Sequence, residues 1–387
     1  MRVLVTTTGG TGHVLPTVPV AEAMQRAGHE VVWATAPAAC ATVERLGFRS
    51  LEAGVPLDRR AAMTRDLHPE LMTLAPRDRR PVMFSALFAE VAGPMMAADL
   101  EAVLDDVAPD LVVHEIAELA APAVASARGI PHVTVAFSGV LPEPVRAAAV
   151  VAAAPLWEQV GLEVPEDLGL YDDLYLHPFA PMLGQRPGHD VVVDLRPENP
   201  DGETGPELPA WLARLGDDRP LVYVTYGTEM GPLAPWAAFV EGLAAMEVDV
   251  LVTTGGSVDP AAVAVHVPPA ATDRIRIERY VRQAWVVPRA AVVISHGGAG
   301  TLIAAGAAGV PQLVVPAGAD QFDNADAFSG VGAALVVDDG PPDAATVSEL
   351  VRRLLEEPEI VAAADRLAAE FATMPHADAA VGRLREA

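Results

Sequence analysis

The 387-residue sequence predicts an α/β protein of two halves, each a mostly parallel sheet covered by helices. Three observations carry this expectation. Short β-branched runs alternate with Ala-rich segments of helical spacing along most of the chain. Two of the runs end in glycine-rich turns, "TTTGGTGHVLP" early and "SHGGAGT" late. The alternation is interrupted once, over "RPENPDGETGPELPAWLARLGDDRP", where Pro, Gly and acidic residues crowd together. Two such sheets joined by a linker leave a cleft between the carboxyl ends of their strands, the edge where open α/β sheets bind ligands.

The elements follow in order. Val3–Thr6 is a strand, Val18–Ala27 a helix stopped by Gly28, and Val31–Ala34 the next strand. This is a βαβ unit whose first turn holds Gly9, Gly10 and Gly12. Leu111–Val113, Ala117–Ala127 and Val133–Phe137 repeat strand, helix and strand, and the Ala/Val run Ala147–Pro155 reads as a buried helix. After the break, strands are expected at Leu221–Thr225, Val250–Thr253, Ile275–Glu278, Ala290–Ser295 and Gln312–Pro316. A helix is expected at Pro235–Ala245, and one amphipathic helical segment over Val347–Phe371. The expected domains are 1–200, a linker 201–219 with a short helix around Trp211, 220–370, and a C-terminal helix 371–387 that packs back on the first domain.

Composition excludes several chemistries. The chain is 51% hydrophobic, enough for packed cores, and its formal net charge of -26 argues against nucleic acid or an anionic membrane as a partner. A pocket of backbone N–H groups can still hold a phosphate in such a protein. Cys40 is the only cysteine, so no internal disulfide and no cysteine metal cluster is expected. All 26 basic residues are arginine, which removes lysine Schiff bases and the P-loop lysine. No apolar run is read as reaching the roughly 18 residues of a membrane span, and the N-terminus enters a strand at once. The expectation is a soluble, cytoplasmic protein.

The motifs point to an anion and a proton. In His296-Gly297-Gly298-Ala299-Gly300-Thr301, glycines allow close backbone approach and a helix N-terminus presents free N–H groups. A ring N–H from His296 and the Thr301 hydroxyl complete a set that fits a pyrophosphate; the alternative is a tight turn with glycines for packing. The first turn is neither a dinucleotide fingerprint, since Leu15 replaces the third glycine, nor a P-loop. It carries His13, a candidate general base or else a helix cap. Glu115 and Glu118, after the strand Leu111–Val113, could each orient the imidazole. "HEIAE" lacks the second histidine of a zinc protease, and no GxSxG is present. Asp320 and Gln321, in "GADQFDNADAF", suit hydrogen bonds to sugar hydroxyls.

Together "GTGHVLP", "PDLVVHE", "VTYGT", "RYVRQ", "HGGAGT", "AAGVPQLVVP" and "GADQFDNA" resemble the GT-B nucleotide-sugar glycosyltransferases over nearly the whole chain. The branch is similar to actinobacterial enzymes that attach deoxysugars to macrolide, enediyne and polyketide aglycones. The resemblance implies two Rossmann-like domains facing each other across a cleft. It implies His13 as catalytic base, paired with Glu115. Tyr280 would stack on the nucleobase, with Val281 giving backbone contacts. Thr228, His296, Gly298, Ala299, Gly300 and Thr301 would hold the pyrophosphate, and Asp320 and Gln321 the donor sugar. Arg282 stands where the family usually has proline, and Ala304 where plant relatives carry a ribose-binding glutamate. Glu115 replaces a commoner aspartate, so Glu118 stays a rival.

The implied reaction is inverting transfer from a dTDP- or UDP-sugar, without cofactor or metal, to a hydroxyl of a hydrophobic aglycone. Met63–Met96 and Val140–Leu183, rich in Met, Phe, Leu and Trp, suit that acceptor. Homodimer formation is left open, and no nucleic acid or membrane partner is expected. The alternatives are a non-catalytic helper on this fold, which the presence of His13 opposes, and a nucleotide-sugar epimerase.

Overall fold

The structure, a computed structural model, describes residues 1–198 and 208–383. It divides into two compact units. The first comprises Met1–Phe179, Arg186–Pro200 and Pro375–Ala387; the second comprises Ala180–Gln185 and Asp201–Met374. Residues 201–207 of the expected linker and 384–387 of the expected C-terminal helix lie outside the described residues. The described part of the linker holds one short 3-10 turn, Leu212–Arg214.

In the first unit seven strands form one all-parallel sheet. They are β1 Arg2–Thr7, β2 Glu30–Thr35, β3 Arg49–Glu52, β4 Leu111–Glu115, β5 His132–Val135, β6 Leu174–His177 and β7 Val192–Asp194. Their order is β3-β2-β1-β4-β5-β6-β7. Neighbouring residues of β1 enter different layers: Val3 and Val5 pack with Trp33 and Val113, while Leu4 packs with Val32 and Val112. Both faces are therefore covered by helices, as a wholly parallel sheet requires. The helix Ala377–Arg383 adds Ala377, Ala380 and Val381 to the layer of Val3 and Val5, and Arg26 grips Asp378 through two 3.1 Å hydrogen bonds.

One expectation needs correction here. Arg80–Val107 is a continuous helical segment, with a wide turn at Ser85–Ala92, and it is long and apolar enough to cross a membrane by length and composition. Half of that stretch is buried inside the unit, where Ala89, Met96 and Leu100 join the core. A long apolar helix that packs beneath other helices passes the same compositional test as a span.

In the second unit six strands form another all-parallel sheet. They are β8 Leu221–Thr225, β9 Asp249–Thr253, β10 Ile275–Glu278, β11 Val292–Ser295, β12 Gln312–Val314 and β13 Ala334–Val336, in the order β10-β9-β8-β11-β12-β13. The segment expected as one helix over Val347–Phe371 is two, Ala344–Glu356 and Pro358–Thr373. Pro358 has no N–H to continue the first helix, and it holds Glu357 at φ -81, ψ 107, outside the helical region.

Strand order reverses beside the first strand of each sheet: between β1 and β4 in one unit, between β8 and β11 in the other. The carboxyl ends of such strand pairs diverge into loops on opposite faces, which opens a crevice for ligands. In the first unit this point is lined by Thr6-Thr7-Thr8. Thr7 and the Trp33 indole N–H meet at 3.0 Å on one side. Thr6, pointing the other way, donates to the carboxyl of Glu118 at 2.6 Å. Glu118 also accepts the N–H of Ala120 at 2.9 Å and is almost wholly buried.

Burial pushes the Glu118 carboxyl up to about 7, against the Thr6 and Ala120 hydrogen bonds and helped by the nearby Glu115 charge. The folded protein thus keeps a proton that the unfolded chain releases near the usual 4.5. Stability from this group is fully present below that value and is lost as pH rises to about 7. At about 1.4 kcal/mol per pH unit the span is roughly 3 kcal/mol. Glu118→Gln keeps the shape and cannot ionise. Its melting temperature should therefore gain on the parent's as pH rises from about 5 to about 7.5. A constant difference over that range would show that Glu118 ionises normally in the fold.

Candidate active site

His13 stands at the switch point of the first sheet because of two glycines. Gly9 and Gly10 both take positive φ, 78° and 97°, and a Cβ on Gly9 would lie 2.8 Å from that of Ala36. The chain can thus turn sharply off β1 into the short helix Thr11–Val14, where the N–H groups of His13 and Val14 both return to the Gly10 carbonyl at 3.1 Å. The turn aims the imidazole at the end of β4. His13 Nδ1 lies 3.0 Å from Glu115 Oε1. Glu118, the rival, faces Thr6 instead.

Glu115 is fully buried, yet it is densely satisfied. Besides His13 it accepts the Thr8 hydroxyl at 2.8 Å, the Thr8 N–H at 3.3 Å and the Ala117 N–H at 2.6 Å. Burial alone would raise its pKa; the His13 charge and hydrogen bond, with the Ala117 and Thr8 bonds, outweigh burial and hold it below the usual carboxylate value. An ionised Glu115 accepts the proton on Nδ1, so the neutral ring presents a lone pair at Nε2. The ring packs against Phe88 and Phe137, with centroids 5.5 and 5.0 Å away, and its side chain is 18% exposed. A basic nitrogen of fixed tautomer, held against two aromatic rings, can take a proton from a hydroxyl on an apolar molecule.

In the second unit the switch point has its own pair of turns. Thr225 and Ser295 are register partners at the ends of β8 and β11. Each hydroxyl accepts the N–H two residues ahead, from Gly227 at 3.3 Å and Gly297 at 3.2 Å. These caps turn both chains at the same level. His296 fills the space between them: a Cβ on Gly227 would come within 3.0 Å of its Cε1, and one on Gly298 within 2.6 Å of its Nε2. The side chain that Gly298 must avoid is therefore His296. Backbone φ at Gly298 is -61°, open to any residue. Gly297, with φ 87°, needs glycine for its conformation as well.

His296 is buried, and burial depresses its pKa to about 4, with Asp320 acting weakly the other way. The ring is neutral at pH 7, and its Nδ1 has no hydrogen-bond partner among the described residues. Gly298 leads into the helix Ala299–Ala307. The N–H groups of Thr301 and Leu302 bond back to Gly298 at 3.1 and 3.2 Å. Gly300 is exposed and Ala299 is buried. The Thr301 hydroxyl accepts from Gln283 Nε2 at 3.0 Å, which ties this turn to the loop of Tyr280 and Val281. Tyr280 is 59% exposed and Val281 is buried. Thr228 is exposed beyond the β8 turn.

Asn324 Nδ2 donates to the Gly297 carbonyl at 3.1 Å and to Asp320 Oδ2 at 2.9 Å, bringing the last motif to the same turn. Gln321 is mostly engaged with its own loop: Oε1 accepts the N–H groups of Ala317 and Gly318 at 2.8 and 3.0 Å. The structure thus gathers the candidate residues into two groups, His13 with Glu115 in one unit and the others around His296 in the second. Sequence reading passed over Thr8, Phe88, Phe137, Gln283 and Asn324. Thr8, Gln283 and Asn324 stand inside the motifs quoted, but nothing in the sequence pairs them with their partners.

The C-terminal domain family described as erythromycin biosynthesis protein CIII-like matches residues 239–387. The L-demethylnoviosyl transferase of Streptomyces niveus is 30% identical over 97% of this chain and 95% of its own length. The elloramycin glycosyltransferase ElmGT of Streptomyces olivaceus is 31% identical over 100% of this chain and 97% of its own. The crystal structure of glycosyltransferase VinC in complex with dTDP superposes with a TM-score of 0.81 at 28% identity, covering 100% of this chain and 99% of that one. With two parallel-sheet units of GT-B type and this likeness along its length, the chain is a glycosyltransferase and belongs to the actinobacterial family that attaches deoxysugars to antibiotics.

Proposed function

We propose that the protein moves a deoxysugar, with inversion, from a thymidine diphosphate donor to a hydroxyl of a hydrophobic natural-product acceptor, without a metal. The observation that carries this is the His13–Glu115 pair at 3.0 Å, with Nε2 unengaged by any described residue and two aromatic rings packed against the imidazole. His13 Nε2 takes the acceptor proton as the acceptor oxygen bonds to the anomeric carbon. The bond from that carbon to the diphosphate oxygen breaks, and the nucleoside diphosphate leaves with the electron pair. Glu115 holds the ring's tautomer and stabilises its protonated form.

Charge on the leaving diphosphate falls to the turn Gly298–Gly300, through N–H groups and the helix dipole, to the Thr301 hydroxyl, and to the His296 ring, whose Nδ1 has no partner among the described residues. Thr228 extends that set. Tyr280, exposed beside Val281, offers a face for the base, and Asp320 with Gln321 Nε2 offers polar contacts to the sugar. A thymidine donor is supported by VinC, solved with dTDP. The apolar acceptor is supported by Phe88 and Phe137 against the His13 ring and by Phe84, whose ring centroid lies 5.0 Å from that of Phe88.

His13→Ala should leave thymidine diphosphate affinity nearly intact and slow transfer by roughly 10²–10⁴-fold, the range for loss of a general base. Glu115→Gln should also slow transfer, because an amide N–H facing Nδ1 selects the other tautomer. Steady-state turnover that is unchanged in His13→Ala removes the base from this reading.

The donor turn has its own test. Gly298→Ala forces His296 aside, so it should weaken thymidine diphosphate binding in the parent. In a His296→Ala background the added methyl has room, and its effect should shrink. Calorimetric titration of the four proteins should give a coupling of about 0.5–3 kcal/mol. Strictly additive losses would show that His296 and Gly298 do not act together on the diphosphate.

A further inference from the structure

Arg60 is not accounted for by any step above. It lies on the helix Leu57–Leu67 in the first unit and is only 9% exposed. Its guanidinium sits over the Phe88 ring, 5.1 Å from the centroid, and that same ring lies 5.5 Å from the imidazole of His13. Its Nη1 is fully buried and has no hydrogen-bond partner among the described residues. Burial lowers its pKa, and the Glu115 carboxylate acts the other way, so the two charges sense each other. No direct ion pair forms between them, because Glu115 already spends its oxygens on His13, Thr8 and Ala117.

A buried guanidinium without an acceptor is costly. Buried polar groups in folded proteins are almost always paired, and an exception calls for an explanation, which a bound anion would supply here. The neighbourhood is aromatic and lies beside the proposed base, so the acceptor is the molecule that would meet it. A planar fork of N–H donors stacked on a phenyl ring is matched by a planar anion such as a carboxylate or phenolate.

We propose that Arg60 binds an anionic oxygen of the acceptor, a carboxylate or phenolate, on the same molecule as the hydroxyl that His13 deprotonates. This rests on the reading of the His13 site as the acceptor site. It makes Arg60 a specificity determinant: acceptors that are hydrophobic and also carry one acidic oxygen are preferred to neutral analogues. The unmet Nη1 is the device, since an acceptor without that oxygen leaves the cation unpaired in the complex.

The test uses calorimetry with two hydroxynaphthoates, one with the carboxylate beside the hydroxyl and one with it across the ring, and the amide of each. The full-length protein should bind at least one acid about tenfold or more tightly than its amide. Arg60→Met should lose that preference, and Arg60→Lys should keep part of it. Thymidine diphosphate affinity should be the same in all three proteins. Arg60→Met should melt no lower than the parent without ligand, because an unpaired buried charge is replaced by an apolar side chain. Any of four results overturns the proposal: neither acid preferred by the parent, the preference surviving in Arg60→Met, diphosphate affinity falling with the substitution, or a marked loss of stability that marks Arg60 as structural. The base is judged separately. If His13→Ala transfers normally while Arg60→Met abolishes the preference, the base reading fails and the anion site stands. The reverse pattern leaves the base and removes the anion site.

Discussion

The Glu115 carboxylate has no contact with water, and the first unit's site depends on how that is tolerated. A buried carboxylate survives only if its oxygens are met by donors. Thr8 supplies two, Ala117 one and His13 the last. These partners come from three places in the chain: the end of β1, the turn after it, and the turn after β4. The same bonds that make burial of the charge tolerable therefore fix the Gly-rich turn against the neighbouring strand and set the angle of the imidazole. Remove the carboxylate and the turn loses its anchor; remove His13 and the carboxylate loses its only partner able to carry a positive charge.

The two buried glutamates, three residues apart, show how environment divides one chemical group into two roles. Glu115 faces a ring that can be protonated, and its ionised form is favoured. Glu118 faces the Thr6 hydroxyl and backbone N–H groups, with Glu115 as a like charge nearby, and its protonated form is favoured up to about pH 7. Holding one proton between two adjacent carboxyls avoids burying two negative charges together. Glu118 thereby serves the turn at Ala120 as a capping group, while Glu115 keeps the charge next to the imidazole.

Much of the architecture is legible in the sequence. The β1, β8 and β11 runs are β-branched and end in glycine turns, so both the strands and the reversals after them announce themselves. β3, β6, β7 and β13 pass unannounced: they are three or four residues long, and unlike the equally short β11 none ends in a glycine-rich turn. The break at Pro358 is written in the sequence but is outweighed by the continuous apolar spacing on either side. The positions of His13 and of His296–Thr301 on strand-to-helix turns follow from local pattern alone. The partner of His13 does not, because Glu115 and Glu118 carry the same charge at the same loop. Only the placement of Thr6 on the adjacent strand and of Thr8 just beyond its end separates them. Gly298 shows a different limit. Its glycine reads as an open approach to a ligand, whereas the atom 2.6 Å from its missing Cβ belongs to the residue two places earlier.

A net charge of -26 sets the terms on which this protein meets an anionic donor. Long-range attraction is not available; at physiological salt, fields from distant exposed charges decay over about 8 Å. Recognition must come from groups within hydrogen-bond reach. On the proposed reading the second unit would meet this with dipoles: the N–H groups of the Gly298 turn, the end of the helix Ala299–Ala307 and an imidazole that burial keeps uncharged at neutral pH. A charged ring there would need a permanent counter-ion, and Asp320 is already held by Asn324. Neutral donors carry no such requirement, so the turn can stay preorganised and, on the proposed reading, would still stabilise charge as it develops on the leaving diphosphate. The first unit follows a different rule beside His13. It buries most of a cation, Arg60, stacked on Phe88 and with Nη1 unmet by any described residue, which under the proposal places charge recognition where the acceptor would be read.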